Sequence, residues 1–343
     1  MEKRGSLFLG FLFFSLVTIS TGQVKEIKNS ETLAMCPVPE NSSPKGHSPK
    51  LFVFGDSYVD TGNLQPFRSS GGCVLTDYIA SFLGINSPVQ YEKRNLAENK
   101  AELKNGMNFA YGGSGVLKEA WNNHSMTIQI NNFKQQIKEK VFTKYDLENS
   151  AALVSHAGND YTYLYLNQSG TIKDVHALAG RVVDQLVKNV KEIHELGVKK
   201  IAILGSPPRG CWPQLNPRPR TNCNATWNEE SRFHNQLLTE ALKNVEESEK
   251  NAFVFLDLYK AMDLALQKNK ENSDYENPLE PCCDGVSDEY WCGMKDQKGA
   301  EMFTVCRQPE SSFFWDKVHP SQNGVHAIFL DLIPSLERLL LIC

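Results

Sequence analysis

Phe52-Val53-Phe54-Gly55-Asp56-Ser57-Tyr58-Val59-Asp60-Thr61-Gly62-Asn63 is the stretch from which the fold can be read. Leu51 to Phe54 is a short, uninterrupted apolar run, the pattern of a strand buried on both faces. Gly55-Asp56-Ser57 ends it with turn-forming residues. A serine just past the carboxyl end of a buried strand stands where open α/β sheets place their sites. One Gly-Asp-Ser triplet is common in loops, so it gains meaning only from partners elsewhere. Gly158-Asn159-Asp160 lies mid-chain, and Asp316-Lys317-Val318-His319-Pro320 lies near the end.

Outward from this stretch, apolar runs alternate with helical periodicity. The spacing predicts strands over Leu51–Gly55, Gly106–Tyr111, Ala151–Ser155, Lys200–Leu204 and Ala252–Leu256. Helices are expected over Val74–Leu83, Met126–Val141, Ile172–Leu196, Thr226–Glu249, Asp257–Lys268 and Ser321–Leu341, the last with a kink or break at Pro334. Asn269 to Ser312 is polar, rich in cysteine and loop-like. Alternating strands and helices imply a parallel sheet covered on both faces, with no internal repeats and one domain as the simplest account.

Four blocks, Phe-Gly-Asp-Ser, Asn-Phe-Ala-Tyr-Gly-Gly-Ser-Gly, Gly-Asn-Asp and Asp-x-Val-His-Pro, occur in that order between Leu51 and Leu341. In this the chain resembles the plant GDSL esterase/lipase family of the SGNH hydrolases. The resemblance implies a three-layer α/β/α sandwich on a flavodoxin-like, five-stranded parallel sheet. It implies Ser57 as nucleophile, His319 as base and Asp316 as the acid that orients the base. Asp316 and His319 are three apart, so one helical turn could bring their side chains together. Oxyanion donors are implied at the Ser57 N–H, a glycine N–H of the second block and the Asn159 side chain. Gly112, the first of the glycine pair, is taken in preference to Gly113. Asp56 and Asp160 read as turn-shaping residues rather than as further acids.

Two departures from the family pattern stand out. The segment Leu64–Cys73 is short where relatives carry a longer stretch, and Tyr58 replaces the usual leucine after the serine. The shortened segment motivates a second reading, a secreted binding protein that keeps the fold without catalysis. Acyl transfer to another alcohol is a third use of the same groups. An α/β-hydrolase lipase is excluded by the lack of a Gly-x-Ser-x-Gly elbow and by the order of the triad.

Met1–Gly22 reads as a secretory signal peptide, with Lys3 and Arg4 ahead of an apolar run from Leu7 to Ile19 that is short for a membrane span. Gln23–Lys50, carrying Pro37, Pro39, Pro44 and Pro49, reads as an extended arm before a single domain over residues 51–343. A secreted, extracellular protein is therefore expected. The net charge is −4, or −5 without residues 1–22, which argues against nucleic acid as a partner. The expected partner is an ester, borne on a small molecule or a polymer. All nine cysteines lie beyond the signal segment, so most should pair in an oxidising compartment. Cys211 and Cys223 flank one loop and are plausible partners. The pairing among Cys282, Cys283, Cys292 and Cys306 stays open, and the odd count leaves at least one unpaired thiol or an intermolecular bond. No metal and no organic cofactor is called for. Asn-x-Ser/Thr sites at Asn41, Asn123, Asn167 and Asn224 are candidate glycan acceptors.

Overall fold

A computed structural model describes residues 36, 49–64, 69–96, 99–118, 123–156, 158–167, 172–216, 218–246, 252–271, 277–287 and 289–340. The expected signal segment, most of the arm, Asn41 and Cys343 lie outside these residues. The chain divides into two units, Met1–Ala34 and Met35–Cys343, and all of the described residues belong to the second.

Leu51, Phe52, Val53 and Phe54 build the centre of β1 (Lys50–Gly55) and are all but completely buried. Their neighbours in the sheet are β3 (Gly106–Asn108) on one side and β4 (Ser150–Ser155) on the other, both parallel. The remaining strands are β2 (Val89–Gln90), β5 (Lys200–Leu204) and β6 (Phe253–Leu256). The order is β2-β3-β1-β4-β5-β6, parallel throughout. The class is the expected α/β/α sandwich. The sheet has a sixth strand because Val89–Gln90 adds itself at the edge, too short to leave a periodic signal. From β1 the chain moves to one side of the sheet, and from β4 to the other. The carboxyl ends of these two strands therefore flank the switch point where such folds open a crevice.

One face is covered by α2 (Met126–Lys138), α5 (Ile172–Glu195) and α6 (Ala225–Glu246), the other by α1 (Leu75–Phe82), α7 (Leu258–Glu271) and α8 (Gln322–Leu340). Phe52, Phe54, Phe109, Phe133 and Phe142 interlock beneath α2 at centroid separations of 4.8 to 5.5 Å. Gly197 stops α5 with φ +119°, a conformation that costs a glycine little. Two short helices follow loops that sequence periodicity leaves blank, α3 (Lys144–Glu148) and α4 (Asn159–Asn167). α8 continues through Pro334 instead of breaking there. Pro334 and Leu330, whose carbonyl loses its helical partner, are both exposed, so the missing bond lies toward water.

The cysteine-rich loop is not wholly irregular. It holds an antiparallel hairpin, β7 (Cys283–Gly285) with β8 (Phe303–Val305). Disulfides join Cys36–Cys73, Cys211–Cys223, Cys282–Cys306 and Cys283–Cys292. The last two resolve the pairing left open by sequence, and they leave no thiolate of that cluster for a metal.

Candidate active site

The nucleophile loop starts at Gly55. Its φ is +152°, and an added Cβ would stand 2.2 Å from the Ser155 carbonyl oxygen of β4, so no larger residue fits. Gln129 of α2 clamps both polar groups of this glycine, accepting its N–H at 2.7 Å and donating to its C=O at 2.8 Å. The Asp60 N–H then donates to the Asp56 carbonyl at 3.0 Å, making a helical turn that presents Ser57 at its start. Asp56 is buried and accepts the Tyr58 N–H at 3.1 Å, in keeping with a turn-shaping part. Ser69, from the shortened segment, donates to the Ser57 carbonyl. Gly71 of that segment lies against the Trp315 indole, which a Cβ there would meet at 2.7 Å. Ser69 and Gly71 thus pack against the Ser57 loop and Trp315.

The base loop runs from Asp316 to His319. It is not a helical turn. Asp316 Oδ1 accepts the N–H groups of Val318 and His319, each at 2.8 Å, and the Trp315 N–H donates to the His319 carbonyl at 2.8 Å. This tight loop turns the His319 ring back onto its own carboxylate, with Nδ1 2.8 Å from Asp316 Oδ2. A carboxylate only accepts, so Nδ1 carries the proton and Nε2 presents its lone pair. Ser57 Oγ lies 2.7 Å from Nε2, at the distance for donating to it. Burial pushes the His319 pKa down, but the charge and hydrogen bond of Asp316, with the charge of Asp56, outweigh it and leave the pKa above the ordinary histidine value.

The structure brings Ser57, His319 and Asp316 into one hydrogen-bonded line. It treats the expected oxyanion donors differently. The Gly112 N–H donates to Asp60 Oδ2 at 2.9 Å and is committed there. Gly113, with φ +78°, and Ser57 have N–H groups with no acceptor among the described residues. Asn159 opens α4 and spends one amide hydrogen on the Ser114 carbonyl at 2.9 Å, leaving the other. The N–H expected to serve from Gly112 is therefore already engaged, whereas, among the described residues, that of Gly113 is not. The reason is Asp60, which gathers the N–H groups of Gly62, Asn63, Leu64 and Gly112 at 2.6 to 3.0 Å. Asp160 does the same for Val116 and Leu117 at 2.9 and 2.8 Å, tying the third block to the second.

Sequence reading missed several supports of the site. Asp60 and Asn63 carried a usable signal, since Asp-Thr-Gly-Asn is turn chemistry. Asn63 donates to the carbonyls of Asn108 and Ala110 at 2.9 and 2.8 Å. Gln129 and Trp212 carried none, because a polar residue in a helix and an aromatic in a loop are ordinary. Of the glycan candidates, Asn123 is exposed, and Asn224 is half-buried with its Oδ1 accepting the Thr226 N–H at 3.0 Å. Asn167 closes α4, with its side chain outside the described residues.

A cavity of about 10 Å³ beside Tyr58, Ser69 and His319 is the size of one water molecule and cannot take an acyl chain. A larger one, about 440 Å³, is lined by Arg94, Lys100, Met107 and Glu139 among others and includes no residue of the triad line. Among the described residues, no helix is long and apolar enough to cross a membrane.

A serine at a sheet switch point, facing an imidazole steadied by a carboxylate, is the constellation of serine hydrolases. Residues 51–332 match the family described as GDSL-like lipase/acylhydrolase, and the chain belongs to that family. The GDSL esterase/lipase At5g03610 of Arabidopsis thaliana is 40% identical over 99% of both chains. At3g09930, a GDSL esterase/lipase of the same plant, is 40% identical over 88% of this chain and 92% of its own. The anther-specific proline-rich protein APG of Brassica napus is 28% identical over 84% of this chain and 71% of its own.

Proposed function

We propose that this protein is a secreted carboxylic ester hydrolase working through an acyl-enzyme. Ser57 Oγ attacks the ester carbonyl while His319 Nε2 takes its proton. Asp316 holds the imidazolium so formed. His319 then gives the proton to the leaving alcohol, and water, deprotonated by the same ring, releases the acid. Ser57 N–H, Gly113 N–H and the free amide hydrogen of Asn159 receive the negative oxygen. The observation that carries this reading is the unbroken line Ser57–His319–Asp316, with contacts of 2.7 and 2.8 Å. The same groups would serve acyl transfer if an alcohol replaced water.

On this reading residues 1–22 are a cleaved signal peptide, and the arm 23–50 is tied by Cys36–Cys73 to a catalytic domain over 51–343. The amino-terminal sequence of the exported protein tests the cleavage, which should fall near Gly22.

Activity is tested with p-nitrophenyl esters from acetate to palmitate, using wild type and Ser57→Ala. Turnover that disappears in the variant is expected, and the chain-length profile defines the acyl preference. A folded wild type that neither turns over these esters nor reacts with an active-serine phosphonate would overturn the esterase reading in favour of a binding protein.

A further inference from the structure

We propose that Tyr58 and Trp212 act as a coupled pair of positioning residues that set the base loop against the nucleophile. The inference rests on the esterase reading above for its kinetic consequence and on geometry for its substance. Tyr58 follows Ser57 directly, and Val318 precedes His319 directly. The Tyr58 hydroxyl donates to the Val318 carbonyl at 2.9 Å. Its oxygen in turn accepts the Trp212 indole N–H at 3.0 Å. A phenol offers one donor and accepts at its oxygen, so these two contacts fix the hydroxyl from both sides. Both side chains are buried, and burial pushes the phenol pKa up well beyond its ordinary value, so the group stays a neutral donor.

The position of Trp212 widens the consequence. It stands next to Cys211, which is cross-linked to Cys223. Its ring lies where a Cβ on Gly158 would come within 2.8 Å, so it also bounds the Gly-Asn-Asp turn that carries Asn159. Two residues on, the Gln214 N–H donates to the Lys317 carbonyl at 2.9 Å. The loop after β5 thus grips consecutive carbonyls of the base loop, Lys317 directly and Val318 through Tyr58. The Val318 N–H is already held by Asp316, so both peptide groups flanking this residue are pinned. A leucine at position 58 could make neither hydroxyl contact. Freed, the Val318–His319 peptide could tilt and carry the imidazole with it, and displacements near 1 Å at reacting groups cost about 10²-fold in rate.

The test uses the full secreted protein as Tyr58→Phe, Trp212→Phe and the double variant. For Tyr58→Phe, kcat on p-nitrophenyl acetate should fall about 10- to 100-fold with KM changed less than about twofold, because ground-state binding is untouched. Inactivation by an active-serine phosphonate should slow in proportion. Trp212→Phe should move the same quantities the same way, and the double variant should lose less than the product of the two single losses, since the indole N–H acts through the hydroxyl. Hydrogen exchange across residues 315–321 should quicken in each variant while the rest of the sheet keeps its protection. A Tyr58→Phe enzyme within twofold of wild-type kcat, a change in KM alone, or multiplicative losses in the double variant would overturn the pair. If wild type itself proves unreactive, the esterase reading fails separately, and unchanged exchange at 315–321 would then sink the positioning role.

Discussion

The Asp60 carboxylate accepts the backbone N–H of Gly112 at 2.9 Å, joining the turn after the nucleophile to the glycine loop of the second block. Asp60 is buried, and its two oxygens serve four N–H donors. In Asp60→Asn one oxygen becomes an amide that donates, leaving N–H groups facing N–H. Hydrogen bonds to a charged group contribute about 1.5–3 kcal/mol each, so we predict a loss of about 3 kcal/mol or more. Urea unfolding of the variant checks it; an unchanged midpoint would show that the cluster relaxes without penalty.

On the proposed reading, Asn159 keeps one amide hydrogen for a developing oxyanion. Asn159→Ala should lower kcat by about 10²–10³-fold with little change in KM, the cost usual for one such donor. Steady-state kinetics on p-nitrophenyl esters decides it. A loss confined to KM would assign Asn159 to binding instead.

The rate should depend on the His319 charge with a definite sign. General-base work needs the neutral ring, and Asp316 and Asp56 raise its pKa against the opposing effect of burial. The acidic limb of kcat/KM should therefore lie above the ordinary value of about 6.5. Removing the charge by Asp316→Asn should shift the limb to lower pH in whatever activity remains. A limb that stays in place would separate Asp316 from the titration.

Stability should respond oppositely to two other histidines. Burial depresses the pKa of His156 and of His234 to about 3. Unfolding below pH 6.5 then takes up a proton at each, so stability falls as pH drops from about 6.5 toward 3, by about 1.4 kcal/mol per unit for each ring. The His319 contribution, with its raised pKa, is fully present in that range and is lost only as pH rises through the folded value. Urea midpoints at pH 7, 5.5 and 4.5 should decline in that order, and a flat series would contradict both depressed values.

Asn224 serves two purposes that substitution can separate. Its Oδ1 caps α6 by accepting the N–H groups of Thr226 and Trp227 at 3.0 and 3.3 Å, while its nitrogen is the candidate glycan acceptor. Thr226→Ala should remove any glycan there and spare the cap. Asn224→Ala should remove both, at about 1 kcal/mol of further stability. Intact-mass and melting measurements on the two variants distinguish the losses.

The strands and long helices were legible in the sequence because each carries a full run or several turns of apolar period. Ser57, Asp316 and His319 were legible only as what the four ordered blocks imply through the family resemblance, since Gly-Asp-Ser alone is common in loops. The conformation joining Asp316 to His319 was not, since spacing alone fits a helical turn as well as a loop closed on its own carboxylate. Gly112 and Gly113 could not be told apart either. Their difference lies in Asp60, fifty-two residues earlier in the chain. Hairpin β7–β8 escaped detection because cross-links and ion pairs, rather than alternating apolar residues, hold it in place.

That hairpin bears on when the enzyme comes into being. The N–H groups of Cys282 and Cys283 donate to the carbonyls of Phe314 and Trp315, and Asp284 meets Lys317 at 3.1 Å, so the base loop rests on a platform stapled by two cystines. Ser57 and His319 are 262 residues apart. On the proposed reading, a chain still leaving the ribosome, or exported but not yet oxidised, therefore carries its serine without a settled base. Hydrolytic power on the proposed reading arrives late in biogenesis, once the base loop docks.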